Sequence, residues 1–108
     1  MDLFKMMGKA REIQSRMGDL QEELKTIEAS GESGAGSVKA TMNGAMVLTA
    51  LWIDPALMKP DEKEIVEDLV MAAVADAQTK VQGLVQERTQ DLMGDLGLPP
   101  GMKLPFGG

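Results

Sequence analysis

The first long segment of the chain carries apolar side chains at alternating steps of four and three residues, from Met6 to Ile27. That spacing keeps them on one helix face, so the pattern predicts an amphipathic helix over about residues 3–28. The apolar positions of the series are Met6, Ala10, Ile13, Met17, Leu20, Leu24 and Ile27. Such a seam packs either on the protein's own sheet or second helix, or in a coiled coil between subunits, and both arrangements stay open.

The middle of the chain carries the short patterns of an antiparallel sheet, over about residues 29–54. In the run from Ser37 to Met42 apolar and polar side chains alternate, which is the period of a strand with one exposed face. A preceding strand from Ile27 to Ser33 would pair with this run through the loop Gly34-Ala35-Gly36. With the strand that follows, the pattern predicts a three-stranded meander.

The last strand is predicted from Ala45 to Ile53, and its pattern indicates a partner subunit. Asn43-Gly44 before it favours a two-residue type I′ turn, because Asn and Gly best tolerate the positive φ that both positions need. The strand is apolar on both faces, and the chain offers little to cover the second face, so we expect a homodimer. The residues assigned to the face of Trp52 are Met46, Leu48, Ala50 and Trp52, and they are our candidates for the dimer interface. The pattern leaves open whether this face meets the second subunit or lies under a helix.

A second long helix is predicted over about residues 61–94, after Asp54-Pro55 ends the sheet. Asp61 and Glu64 have the spacing of a capping box with Asp61 as the N-cap. The apolar stripe that follows has the width of a helix that packs on a sheet. Residues 1–97 are therefore expected to form one domain, and the Pro- and Gly-rich residues 98–108 a C-terminal tail that is disordered or docks as an extended arm.

Composition excludes several kinds of chemistry. The 108 residues include no Cys and no His, which removes disulfides, thiolate catalysis and the commonest general base and metal ligand. We therefore expect no enzymatic activity, no cofactor and no metal. No apolar run approaches the roughly 20 residues that a membrane-spanning helix needs, and the charged N-terminal segment does not have the pattern of a signal peptide. These features favour a cytoplasmic protein.

The charges are unevenly distributed along the chain, which has a formal net charge of −6. An acidic chain is a poor nucleic-acid ligand as a whole, because phosphate binding needs clustered Lys and Arg. The first 17 residues nevertheless carry four cations against two carboxylates, whereas residues 61–96 carry three cations against nine carboxylates. This asymmetry concerns the partners of the protein and says nothing about its fold.

An ordered set of motifs resembles the YbaB/EbfC family, and the resemblance covers nearly the whole chain. The motifs are Gly31-Glu32-Ser33-Gly34-Ala35-Gly36, Val38, Asn43-Gly44, Ile53-Asp54-Pro55, Glu67-Asp68-Leu69-Val70 with Ala72 and Ala73, and Leu98-Pro99-Pro100-Gly101 with Pro105-Phe106. The resemblance implies an α+β fold: an α-β-β-β-α protomer, with two long helices flanking a three-stranded antiparallel sheet. It also implies a tweezer-like homodimer, joined largely through the sheets, whose long helices project as arms.

The same resemblance implies a bacterial nucleoid-associated protein that binds double-stranded DNA with little base-specific readout, in the nucleoid of the cytoplasm. It places DNA binding on the projecting helices. The cations there that are candidates for phosphate contact are Lys5, Lys9, Arg11, Arg16, Lys80 and Arg88. For each of them the alternative is an ordinary solvent-exposed charge on an amphipathic helix.

Two other functions compete with DNA binding at this stage. The first is a dimeric protein-interaction scaffold or chaperone-like protein, whose Met-bearing surface would hold a protein partner. The second is attachment of the N-terminal helix to a membrane surface. The apolar residues available for that attachment are Leu3, Phe4, Met6 and Met7.

Overall fold

The structure is a computed structural model that describes residues 2–95 and residue 97. Its main elements are α1 (Leu3–Leu24), β1 (Glu28–Ser33), β2 (Val38–Asn43), β3 (Leu48–Ile53) and α2 (Lys63–Asp95), with 3-10 turns at Pro55–Leu57 and Pro60–Glu62. The predicted α+β class and the order α-β-β-β-α are confirmed. The predicted tail, residues 98–108, lies outside the described residues.

The three strands form one antiparallel sheet in the order β1-β2-β3. β1 and β2 are joined by the predicted Gly34-Ala35-Gly36 loop, in which Gly34 and Gly36 have φ of 59° and 87°. The N–H of Ser37 donates to the carbonyl of Gly34 across this turn. The predicted meander is therefore present.

The core lies between one face of the sheet and α2, which packs on β1 and β2. Its buried members are Val38, Ala40 and Met42 of β2 and Ala73, Ala77 and Val81 of α2. Each Val that is fully buried stabilises the fold by about 1.5–3 kcal/mol. The small side chains of α2 allow the helix to approach the sheet closely, and Gly31 of β1 lies at the closest point.

The hairpin between β2 and β3 forms, but the predicted two-residue type I′ turn at Asn43-Gly44 is wrong. The connection is longer, because β3 begins at Leu48 and not at Ala45. Neither Asn43 nor Gly44 has a positive φ; Met46 does, with φ of 63°. The Asn43 side chain instead accepts the N–H of Ala45 at 2.9 Å and closes the start of the loop.

Gly44 is explained by its contact with the end of α1. The helix ends at Leu24, four residues before the predicted boundary, and the chain turns back through Lys25. The N–H of Gly44 donates to the carbonyl oxygens of Leu24 and Ile27, each at 2.9 Å. A Cβ atom at position 44 would lie 2.5 Å from the Leu24 oxygen, so a larger residue does not fit beside α1.

A bulge in β3 changes which side chains share a face. Thr41 pairs with Ala50, but the next residue of β2, Met42, pairs with Leu48 and leaves one residue of β3 unpaired. Since directly paired residues point to the same face, Leu48 lies on the face of the buried Met42, and Ala50 lies on the opposite face with Trp52. The prediction that Leu48 and Trp52 share a face is therefore wrong, because the unpaired residue reverses the alternation.

The predicted capping box at the start of the second helix is also wrong. Asp61 lies inside the 3-10 turn Pro60–Glu62, and the α-helix begins at Lys63. Pro60 occupies the first position of that turn, where its missing N–H and fixed φ are tolerated. The turn is closed by the Glu62 N–H, which donates to the carbonyl of Lys59 at 2.9 Å.

Candidate nucleic-acid interface

The site that the predicted cations share is an arm formed by α1 and the C-terminal half of α2. Leu20 of α1 and Leu92 of α2 are both buried there, and Arg88 of α2 lies 3.2 Å from Glu23 of α1. Arg16 lines the same cleft as the residues near the end of α2. Residues nearer the N-terminus of α1 therefore lie beside residues nearer the C-terminus of α2, so the two helices are antiparallel.

The N-terminal half of α1 continues past the described end of α2. Residues 2–12 are all exposed, whereas the apolar positions Ile13 and Met17 are half-buried and Leu20 is buried. Asp2 is the N-cap of the helix, and its side chain accepts the Phe4 N–H at 3.0 Å. The cap satisfies one of the free N–H groups of the first turn and fixes where the helix begins.

Three of the four predicted N-terminal cations share one side of α1. At 3.6 residues per turn, Lys5, Lys9 and Arg16 lie within about 40° of one another around the helix axis, and Arg11 lies on a different side. The rise of 1.5 Å per residue places Lys5 and Arg16 about 16 Å apart along the axis. Among the residues that the structure describes, none of these four side chains is within salt-bridge distance of a carboxylate.

Arg16 differs from the other three because it borders a cleft between the two helices. The cleft has a volume of about 130 Å³ and is mainly acidic, with two arginines among four carboxylates. Its lining residues are Arg16, Asp19, Leu20, Glu23, Arg88, Asp91, Leu92 and Asp95. The positive charge of α1 therefore rises from the base of the arm toward its N-terminus.

The two predicted cations of α2 are held by partners within the protein. Arg88 contacts Glu23 across the arm. Lys80 lies 3.0 Å from Asp76 Oδ2 and donates to the carbonyl of Ser30 on β1 at 3.3 Å. Both side chains join α2 to another element, which distinguishes them from the exposed cations near the start of α1.

The side chains of Asp76 and Lys80 form hydrogen bonds with backbone groups along the outer edge of β1. Asp76 Oδ2 accepts the N–H of Glu32 at 3.1 Å as well as contacting Lys80. The hydrogen bond from the Glu32 backbone, followed by that from Lys80, lowers the pKa of Asp76 below its ordinary value. Ser33 adds a further link, because its hydroxyl donates to the carbonyl of Leu69. This edge of the sheet is thereby occupied by α2.

The opposite edge strand, β3, presents apolar side chains on both faces. Trp52 is 47% exposed on the open face, where Lys39 Nζ lies 5.7 Å from the centre of its ring. Leu51 is 44% exposed on the other face, which α2 covers mainly over β1 and β2. The residues predicted at a dimer interface are all exposed in this chain: Met46 in the loop and Leu48, Ala50 and Trp52 in β3. Sequence reasoning missed Leu51, although the two-faced apolar pattern of the strand was its signal.

Other kinds of site find no support in the described part of the chain. No group of three His, Cys, Asp or Glu side chains in residues 2–95 and 97 is arranged to hold a metal ion. Within the same residues, neither long helix is apolar enough over its length to cross a bilayer.

The fold and the exposed cationic helix together define a small α+β protein with a projecting helical arm. The model of the YbaB/EbfC DNA-binding family matches residues 1–96, and the chain belongs to this family. A nucleoid-associated protein of Brucella ovis is 50% identical over 105 residues, which cover 97% of this chain and 98% of that relative. A nucleoid-associated protein of Bartonella tribocorum is 45% identical over the same shares of both chains.

A solved structure supports the fold independently of these relatives. The crystal structure of an uncharacterized protein from Helicobacter pylori matches with a TM-score of 0.75 and 26% sequence identity. The match covers 87% of this chain and 99% of the other. The family resemblance and the fold expected from the sequence are both confirmed.

Proposed function

We propose that the protein is a nucleoid-associated protein that binds double-stranded DNA as a homodimer with little base-specific readout. Membership in a DNA-binding family and the names of the relatives support this function. The observation that carries it is the exposed, cationic N-terminal half of α1, whose Lys and Arg side chains have no carboxylate partner among the described residues. No residue of the chain is proposed to act in catalysis.

The proposed contacts are to phosphates. Lys5, Lys9 and Arg11 are the principal contacts, and Arg16 adds a contact near the base of the arm. Contacts to phosphate oxygens carry no information about the base, so affinity that rests on them would depend little on sequence. Lys80 and Arg88 receive a supporting role, because each already joins α2 to a neighbouring element.

Dimerisation would present these cations twice. We place the contact between subunits on β3, because the edge of β1 is bonded to α2 while β3 keeps apolar side chains on both faces. A chain of 108 residues has a modest core, so covering Leu51 and Trp52 would add burial that the protomer lacks. Two arms on one dimer would then contact the duplex, and the acidic stretch of α2 would face away from it.

A salt series of binding to a random duplex tests this function. With three or four phosphates contacted by each arm, the logarithm of the association constant should fall against the logarithm of salt concentration with a slope of about −5 to −7. Binding that stays the same between 50 and 200 mM salt would contradict contact with phosphates. Failure of the wild-type dimer to bind at low salt would favour the alternative of a protein-interaction scaffold.

A pair of triple variants locates the contact. Lys5→Glu, Lys9→Glu and Arg11→Glu together reverse three charges on the arm. The matched control reverses three exposed cations elsewhere, Lys25→Glu, Lys59→Glu and Lys63→Glu, so both variants have the same net charge. We expect the first variant to lose binding by at least 100-fold and the second to lose far less. Equal losses would mean that overall charge, and not the arm, determines binding.

A further inference from the structure

The face of α1 that meets α2 continues uncovered toward the N-terminus of the helix. Met6 lies within about 40° of Leu20 around the helix axis, so both belong to one apolar face. Leu20 is buried, whereas Met6 is 53% exposed and Ala10 is also exposed. Leu3 lies within about 60° of both exposed residues around the axis. We name Leu3, Met6 and Ala10 the open stripe.

The open stripe belongs to a regular helix that needs a packing partner. Asp2 caps the helix, and residues 2–12 are all exposed in the described part of the chain. Most of the stability of a helix in a protein comes from the packing of its apolar face, and about ten residues of helix gain little from their own hydrogen bonds. A cover on the open stripe would supply that packing.

The chain leaves α2 beside the open stripe. Gly97 has φ of 71°, and its N–H donates to the carbonyl of Gly94 at 3.1 Å, which closes the end of the helix. Asp95 lines the same cleft as Arg16, and Arg16 and Leu3 are about 20 Å apart along α1. Residues 98–108 follow, and an extended chain of that length spans about 34 Å at 3.1 Å per residue. The segment is therefore long enough to reach every residue of the open stripe.

The composition of residues 98–108 fits an apolar surface. Apart from Pro and Gly, the segment contains Leu98, Met102, Lys103, Leu104 and Phe106. A solvated linker is polar and has few aromatic side chains, whereas four of these five side chains are apolar. The three Pro residues disfavour a helix and favour an extended chain, which loses little conformational entropy on binding. Met102, Leu104 and Phe106 alternate along the segment, so an extended chain would present them on one side.

We propose that residues 98–108 fold back on α1 of their own chain and cover the open stripe, with Met102, Leu104 and Phe106 as the contacts. The apolar strand β3 is a poorer site for this segment. Asp95 lies about 27 Å along α2 from Ala77, which packs on the sheet, so most of the segment would be needed to return that far. Lys5 lies about 100° around α1 from Met6, so the covered arm still exposes this cation, and the inference does not depend on DNA binding.

Paramagnetic broadening tests where the segment lies. The chain has no Cys, so Lys103→Cys carries a single nitroxide label, and the methyl signals of the Met residues report their distance from it. Met6 should lose most of its signal intensity, whereas Met71, exposed on α2, should keep it. Full intensity at Met6, or loss at Met46 beside β3 instead, would overturn the proposal. A mixture of labelled protein with unlabelled, isotopically enriched protein should leave Met6 unaffected, and loss of its signal there would assign the cover to a second copy and overturn the proposal.

A matched pair of triple variants tests whether these apolar side chains hold the segment on α1. One variant removes the proposed contacts by Met102→Ala, Leu104→Ala and Phe106→Ala. The control removes three exposed apolar side chains elsewhere, by Met58→Ala, Ile65→Ala and Met71→Ala. The first variant should exchange the amide hydrogens of residues 3–13 about tenfold faster than the wild type, and the control should match the wild type.

Circular dichroism verifies that both variants keep the fold. Exchange in the first variant equal to that of the wild type would overturn the contact. Neither measurement uses DNA, so a failure of this proposal would leave the proposed function intact.

Discussion

At the scale of single residues, Gly31 determines how closely α2 approaches the sheet. A Cβ atom at this position would lie 2.5 Å from the carbonyl oxygen of Ala73 and closer still to the backbone of Ala77. Backbone atoms of a helix cannot move aside as a flexible side chain can. We therefore expect Gly31→Ala to lower the free energy of unfolding by about 3 kcal/mol or more, measured by urea denaturation.

Gly83 provides the control for that substitution. It lies inside α2, and a Cβ atom there would meet nothing within 4 Å. Gly83→Ala should raise the free energy of unfolding by about 1 kcal/mol, because Ala has the higher helix propensity. If Gly31→Ala left stability unchanged, α2 would not lie on β1 as described.

A second prediction at this scale concerns pH. The pKa of Asp76 is lowered in the folded protein by the hydrogen bonds from the Glu32 N–H and Lys80. A carboxylate with a depressed pKa stabilises the fold above its unfolded value, near 3.9, and that stabilisation is lost as the pH falls through the folded value. The difference in stability between the wild type and Asp76→Asn should therefore be present at pH 7 and disappear in acid.

Chemical denaturation between pH 7 and pH 2.5 measures that difference. Glu87→Gln, on the same helix, is the control, because the structure gives Glu87 no salt bridge in its described part. A constant difference between wild type and Asp76→Asn at every pH would show that the ionised carboxylate does not stabilise β1.

Part of the hydrogen-bond network around Asp76 could be predicted from the spacing of residues in the sequence. The Asp76 and Lys80 pair follows from their separation of four residues on one helix, and the pair is present at 3.0 Å. The bond from Glu32 to Asp76 joins residues 44 positions apart, and it depends on how α2 lies across the sheet. The same limit explains Gly44, whose close neighbour Leu24 belongs to another element.

At the scale of elements, periodicity predicted which segments are helices and strands but not how far each one packs. The seam of α1 runs without a break from Met6, yet only its C-terminal part is covered, where Ile13 and Met17 are half-buried and Leu20 is buried. Periodicity identifies an apolar face and gives no information on the length of the partner that covers it. Which part of the seam is buried therefore depends on the position of α2 and could not be predicted from periodicity.

The strand β3 shows a second limit of prediction from periodicity. Its alternation predicts a single face for Leu48 and Trp52, and the bulge opposite Met42 separates them. A bulge depends on the pairing of two strands and leaves no clear mark in the alternation of one. The pattern also predicts that a helix covers one face of this strand, whereas five of its six residues are exposed in the protomer.

At the scale of the whole molecule, the distribution of charge has a structural explanation. Four carboxylates, Asp19 and Glu23 of α1 and Asp91 and Asp95 of α2, line the cleft, whereas the cations of α1 extend to its exposed N-terminal end. A dimer with this distribution would attract a polyanion to the ends of its arms and repel it from its centre. The net charge alone predicts that the protein repels a polyanion everywhere, which is why the position of each charge has to be considered.

The proposed dimer gives the last prediction. Leu51→Asp places a carboxylate in the apolar surface of β3, where burial against a second subunit would leave the charge without a partner. We expect the wild type to have twice the 11.6 kDa mass of the chain by light scattering and Leu51→Asp to have the mass of the monomer. Met71→Asp, at an exposed position of α2, should remain dimeric. Trp52 provides a second readout, because its emission should shift to longer wavelength when dissociation exposes the ring. A dimeric Leu51→Asp variant with unchanged emission would move the interface away from β3, and with it the geometry in which two arms contact one duplex.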